Sequence, residues 1–117
     1  MGPLIVIAED DAAILDCLTE TLEGEGYHVR RAGDGLAALA QLAAERADLL
    51  LTDQQMPRAT GLEVIARQPG RVGAPLPIIL MSALTLPVPP AAPVVFLQKP
   101  FDLDHVVALV RTLLRQA

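Results

Sequence analysis

Four short apolar runs constrain the fold of this chain more than any other feature: residues 4–8 (LIVIA), 48–52 (DLLLT), 77–81 (PIILM) and 94–98 (VVFLQ). Each is too short for a helix and lacks polar alternation, which is the pattern of a β-strand covered on both faces. Residues 27–32 (YHVRRA) alternate weakly and predict an outer strand. Helical patterns separate the runs. Asp11 can N-cap a helix whose stripe is Ile14, Leu15, Leu18 and Leu22, with Gly24 and Gly26 ending it. Asp34 caps a second, from about Leu36 to Glu45. Thr60 and Glu63 have the spacing of a capping box, so a short helix begins at Gly61 and stops at Gln68-Pro69-Gly70. Asp102 caps the last, with Leu103, Val106, Val107, Val110, Leu113 and Leu114 along one side. Strands alternating with helices predict an α/β fold, a doubly wound five-stranded parallel sheet of order 2-1-3-4-5 with about four helices.

The length of 117 residues suits one domain spanning residues 1–117. The chain is 52% hydrophobic but only 3% aromatic, so its core must be aliphatic. A net charge of −5 without a Lys/Arg cluster argues against nucleic acid or an anionic membrane surface as partner. There is no leader pattern, and no apolar run approaches the ~20 residues that span a bilayer. Val6 stands where a myristoylation signal wants Ser or Thr. The expectation is a soluble, unanchored, cytoplasmic protein. The single cysteine, Cys17, fits a reducing compartment and is expected to be buried or half-buried on the first helix. His28 and His105 lack metal-ligand company and are expected at the surface.

In such a sheet the carboxyl ends of the strands face one crevice. Glu9 and Asp10 follow strand one, Asp53 strand three, Ser82 strand four and Lys99 strand five. Taken singly, these residues read as caps, turns or solvated surface. Their weight comes from convergence. Two carboxylates ~4 Å apart repel by ~4 kcal/mol at an effective dielectric near 20. Three in one crevice must hold protons or bind a cation, and an all-oxygen, partly hydrated set suits Mg²⁺. A metal and an ammonium beside a carboxylate can hold a phosphoryl group, with Asp53 as nucleophile and an aspartyl phosphate as product.

The pieces IVIAEDD, DLLLTDQQMPRATGLEVI, PIILMSA and FLQKPF, in that order, resemble the receiver domain of bacterial two-component response regulators over essentially the whole chain. The resemblance implies a role for each matching residue. Asp53 stands at the phosphoacceptor, and Glu9 and Asp10 at the acidic pair that binds Mg²⁺, Asp10 directly and Glu9 partly through water. Gln55 would offer its backbone carbonyl to the metal. Ser82 matches the hydroxyl that reaches the phosphoryl oxygen, and Lys99 the partner lysine. Pro100 would follow a cis bond, and Phe96 stands at the aromatic switch, although as a residue of VVFLQ it reads equally as core. The implied partner is a sensor histidine kinase or a histidine phosphotransfer protein. The chain is then not an enzyme but a signalling acceptor that assists its own phosphorylation and dephosphorylation.

One interval departs from the family. Residues 83–98 read ALTLPVPPAAPVVFLQ, with prolines at 87, 89, 90 and 93. Each is unfavourable inside a helix by about 3 kcal/mol relative to Ala. The family's fourth helix is therefore expected to be missing or collapsed, with residues 84–93 extended and partly polyproline-like. The surface that remains is a candidate for a homodimer or a downstream protein target. Leu84 cannot orient an attacking water, which predicts slow autodephosphorylation. Two other classes compete. A pseudo-receiver would keep the fold as an interaction or dimerisation module without phosphotransfer. A phosphatase of the haloacid-dehalogenase type also uses an Asp nucleophile, but it wants an acid where Gln55 stands.

Overall fold

The computed structural model describes residues 2–69, 73–84 and 94–116. The elements run β1 (Leu4–Ala8), α1 (Ala12–Gly24), β2 (His28–Ala32), α2 (Gly35–Ala44), β3 (Leu49–Asp53), α3 (Gly61–Arg67), β4 (Ile78–Ser82), β5 (Val94–Gln98) and α4 (Leu103–Gln116). The five strands form one sheet of order β2-β1-β3-β4-β5, and every neighbouring pair is parallel. The fold class is therefore the doubly wound α/β sheet anticipated from the strand patterns, with four helices among the described residues. The expected loss of a fourth family helix concerns residues 84–93, and all of these except Leu84 lie outside the described residues.

Strand periodicity sorts the core into two layers. Ile5, Ile7, Leu49, Leu51, Ile79 and Met81 point to one side, where Leu15, Leu18 and Leu22 of α1 and Val106 and Val110 of α4 cover them. Val6, Ala8, Leu50 and Ile78 point to the other, under Ala38 and Leu42 of α2 and Val64 of α3. Both faces are dry, which is why β1, β3 and β4 can be apolar at nearly every position.

Local signals start the helices where the sequence places them. The Asp11 side chain accepts from the backbone N–H of Ala13 and Ile14, and Asp34 accepts from Ala37. The Thr60–Glu63 capping box closes in both directions. Those hydrogen bonds to Thr60 hold the Glu63 carboxyl below its usual range. Asp102 accepts from the Asp104 N–H at the start of α4.

Three expectations change in detail. Asp53 is the last residue of β3 and Ser82 the last of β4, rather than the first residues after them. The ladder continues because Asp53 pairs with Met81 and Ser82 with Gln98. Cys17 is exposed. The buried stripe of α1 is Leu15, Leu18, Thr19 and Leu22, and a helix turns position 17 away from it.

Candidate functional site

Register sets the level at which each polar residue leaves the sheet. Ala8 pairs with Thr52, so the next residues, Glu9 and Asp53, stand side by side. Lys99 follows Gln98, the partner of Ser82, and its N–H extends the ladder by donating to the Ser82 carbonyl at 2.8 Å. Parallel pairing thus brings four strand ends to one rim.

Glu9, Asp10 and Asp53 each turn a carboxylate oxygen into a cluster whose atoms lie within 4.8 Å of one another. Glu9 and Asp53 are buried and Asp10 is exposed, so the cluster is lined by protein below and open above. Lys99 Nζ donates to Glu9 Oε1 at 2.8 Å and lies 3.2 Å from Asp53 Oδ1. Glu9 Oε2 accepts from the Asp11 N–H at 3.3 Å, so both Glu9 oxygens are engaged. Asp53 Oδ1 is buried, with the ammonium at ion-pair distance but no aligned hydrogen bond. Among the described residues it is the buried side-chain oxygen left without a hydrogen-bond partner.

Burial raises the Glu9 carboxyl above its ordinary 4.5; the Lys99 hydrogen bond pulls it back, and the nearby Asp53 charge adds to the rise. For Lys99, burial opposes the charge, but the Glu9 hydrogen bond and the fields of Asp53 and Glu9 outweigh it, and its pKa rises above 10.5. The ammonium is therefore held at neutral pH, and its single positive charge leaves two of the three acids unbalanced. Hard oxygen donors, an orphaned buried oxygen and an open side fit a hydrated divalent cation such as Mg²⁺.

The remaining residues divide. The Lys99–Pro100 peptide is cis. Phe96 pairs with Leu80 in the ladder and is half-buried. Leu84 is 60% exposed beside the rim. Ser82 is wholly buried, and its hydroxyl donates to Gln55 Oε1 at 3.1 Å and accepts from the Leu84 N–H at 3.0 Å. That partnership of the Gln55 side chain was not foreseen. The two residues are 27 apart in sequence, and only their placement on adjacent strand ends joins them. Beside Lys99 an apolar pocket of about 480 Å³ opens between Ile14, Leu18, Ala83 and Phe101, with Cys17 on its wall. His28 and His105 are exposed.

A family model described as a response regulator receiver domain matches residues 5–111. The chain belongs to that family. It is 37% identical to the response regulator MprA of Mycobacterium bovis (strain BCG / Pasteur 1173P2), with 99% of this chain and 52% of the relative covered. To the MprA of Mycobacterium avium (strain 104) it is 38% identical, covering 96% and 51%. The receiver domain thus spans about half the length of these relatives. Among solved structures, it is similar to the signal receiver domain of a signal transduction histidine kinase from Syntrophus aciditrophicus, with a TM-score of 0.85 and 26% identity over 99% of this chain and 92% of that one. A receiver domain from the hybrid histidine kinase CckA gives a TM-score of 0.83 at 28% identity, covering 95% and 98%. No helix among the described residues is long and apolar enough to cross a membrane.

Proposed function

We propose that this receiver domain is a phosphoacceptor: Asp53 takes a phosphoryl group from the phosphohistidine of a sensor histidine kinase or a histidine phosphotransfer protein. A carboxylate oxygen of Asp53 forms a bond to phosphorus as the phosphorus–nitrogen bond of the donor breaks, and the electron pair leaves with the imidazole. The observation that carries this reading is Asp53 Oδ1 itself, buried, without an aligned hydrogen bond and 3.2 Å from the Lys99 ammonium. An acid kept in that condition is a poor structural element and a good nucleophile.

Lys99 supplies fixed positive charge to the arriving phosphoryl oxygens, and its bond to Glu9 keeps the stem in place. Ser82 turns its hydroxyl to the new phosphoryl group, and Phe96 follows into the space this opens. Glu9, Asp10 and Asp53, with the backbone carbonyl of Gln55, are the residues that would hold Mg²⁺. When bound, Mg²⁺ neutralises phosphoryl charge that one lysine cannot. On this reading the chain is a cytoplasmic switch in a two-component pathway. It is consumed as acceptor and regenerated by hydrolysis, rather than turning over substrate as an enzyme does.

The test uses a small acyl phosphate as donor, with Mg²⁺, and intact-protein mass spectrometry. The parent should gain one phosphoryl group, and Asp53→Asn should gain none. If the parent takes up nothing, the pseudo-receiver reading replaces this one: a receiver fold acting as an interaction or dimerisation module.

A further inference from the structure

The resemblance gives Gln55 a backbone carbonyl for the metal and, with Leu84, a place flanking Asp53 that controls water access, yet its side chain also holds the Ser82 hydroxyl on which the proposed switch turns. Ser82 Oγ carries a single proton, and it points to Gln55 Oε1. While Gln55 accepts that proton, none is left to donate to a phosphoryl oxygen on Asp53. Ser82 is fully buried, so it cannot exchange Gln55 for bulk water, whereas Gln55 is exposed. The same Oγ accepts from the N–H of Leu84, two residues on. Rotation of the O–H alone releases Gln55 and leaves the Leu84 bond in place, whereas a move of Oγ between staggered positions disturbs both bonds together.

We propose that Gln55 is a positioning residue whose side-chain amide latches the Ser82 hydroxyl in its resting orientation. Phosphorylation of Asp53 must win the hydroxyl from this latch before the chain at Leu84 feels the change. This inference rests on the phosphoacceptor reading. A neutral hydrogen bond in competition of this kind shifts a two-state population about fivefold. The latch therefore biases the switch toward rest without locking it. The charge around Asp53 governs whether a phosphoryl group arrives, and Gln55 governs how readily its arrival is registered.

The test is a titration of the isotope-labelled chain with beryllofluoride, a phosphoryl mimic, at saturating Mg²⁺, followed by amide NMR. Gln55→Ala and Gln55→Leu are compared with the parent, each with Ser82 intact and with Ser82→Ala. With Ser82 intact, both variants should lower the half-saturating beryllofluoride concentration about fivefold. With Ser82→Ala they should change nothing. The Leu84 amide of the free Gln55 variants should already be displaced toward its position in the parent complex. A merely structural role for Gln55 moves both backgrounds alike, and that result overturns the latch. So does an unchanged titration with Ser82 intact. A parent that neither binds beryllofluoride nor accepts phosphoryl from an acyl phosphate overturns the phosphoacceptor reading and the latch with it. The latch alone falls if the parent responds normally and the Gln55 variants do not differ from it.

Discussion

Lys99 shows how far one side chain carries the site. Its Nζ bridges Glu9 and Asp53, and its side chain is only 18% exposed. Replacing it by Met leaves Glu9 buried with no cation beside it, so the carboxyl rises further above 4.5. A carboxyl with a higher pKa folded than unfolded binds more protons when folded, and stability then declines as pH climbs from 4.5 through the folded value. The Lys99→Met deficit should therefore be smallest near pH 4.5 and reach about 2 kcal/mol at neutral pH, as read from urea midpoints without divalent ions. In the parent, the raised lysine contributes stability that is fully present below pH 10.5 and is lost above it. The motif pieces revealed Lys99, Asp53, Glu9, Asp10 and Ser82 because each ends an apolar run. They could not reveal Gln55 Oε1 as the partner of Ser82, since a side-chain bond between separate strand ends leaves no trace in spacing. Cys17 was misplaced for a different reason: a small apolar residue next to a stripe can face either way, and only the packing of Leu15 and Leu18 decides.

At the scale of elements, α3 is seated on the site by a glycine. A Cβ on Gly61 would come within 2.6 Å of both the Asp53 carbonyl oxygen and Leu80 Cδ1, so α3 touches the backbone of Asp53. Gly61→Ala must push α3 outward or move Asp53. It should cost about 2 kcal/mol and slow phosphoryl uptake, measured by urea unfolding and by the acyl phosphate assay. Gly24, at the end of α1, has nothing within 4 Å of an added Cβ. Gly24→Ala should stabilise by about 0.5 kcal/mol and leave uptake unchanged, which makes it the matched control. Element boundaries were readable because caps announce them: Asp11, Asp34 and Thr60 each hold a helix N-terminus through a side-chain oxygen. The strand ends were displaced by a residue because pairing with a neighbour, not local composition, decides where a strand stops. Asp53 and Ser82 stay in the ladder only because Met81 and Gln98 lie beside them.

For the whole molecule, the acid cluster links segments that the chain keeps far apart, so a cation bound there stabilises the entire fold. Mg²⁺ at ten times its dissociation constant should raise unfolding stability by about 1.4 kcal/mol, seen as a concentration-dependent thermal midpoint. Asp10→Asn should weaken that response, and so should acidification, as Glu9 takes up its proton. The order of the sheet was foreseeable from strands buried on both faces and the right-handed crossovers such chains prefer. The pairing that finishes the site has a consequence for synthesis. Lys99 lies 90 residues beyond its partner Glu9, just after β5, the last described strand in chain order. A nascent chain on the ribosome can lay down its acids long before their ammonium emerges from the exit tunnel. On the phosphoacceptor reading, a chain cut short before Lys99 lacks the ammonium beside Asp53 and should take up no phosphoryl group.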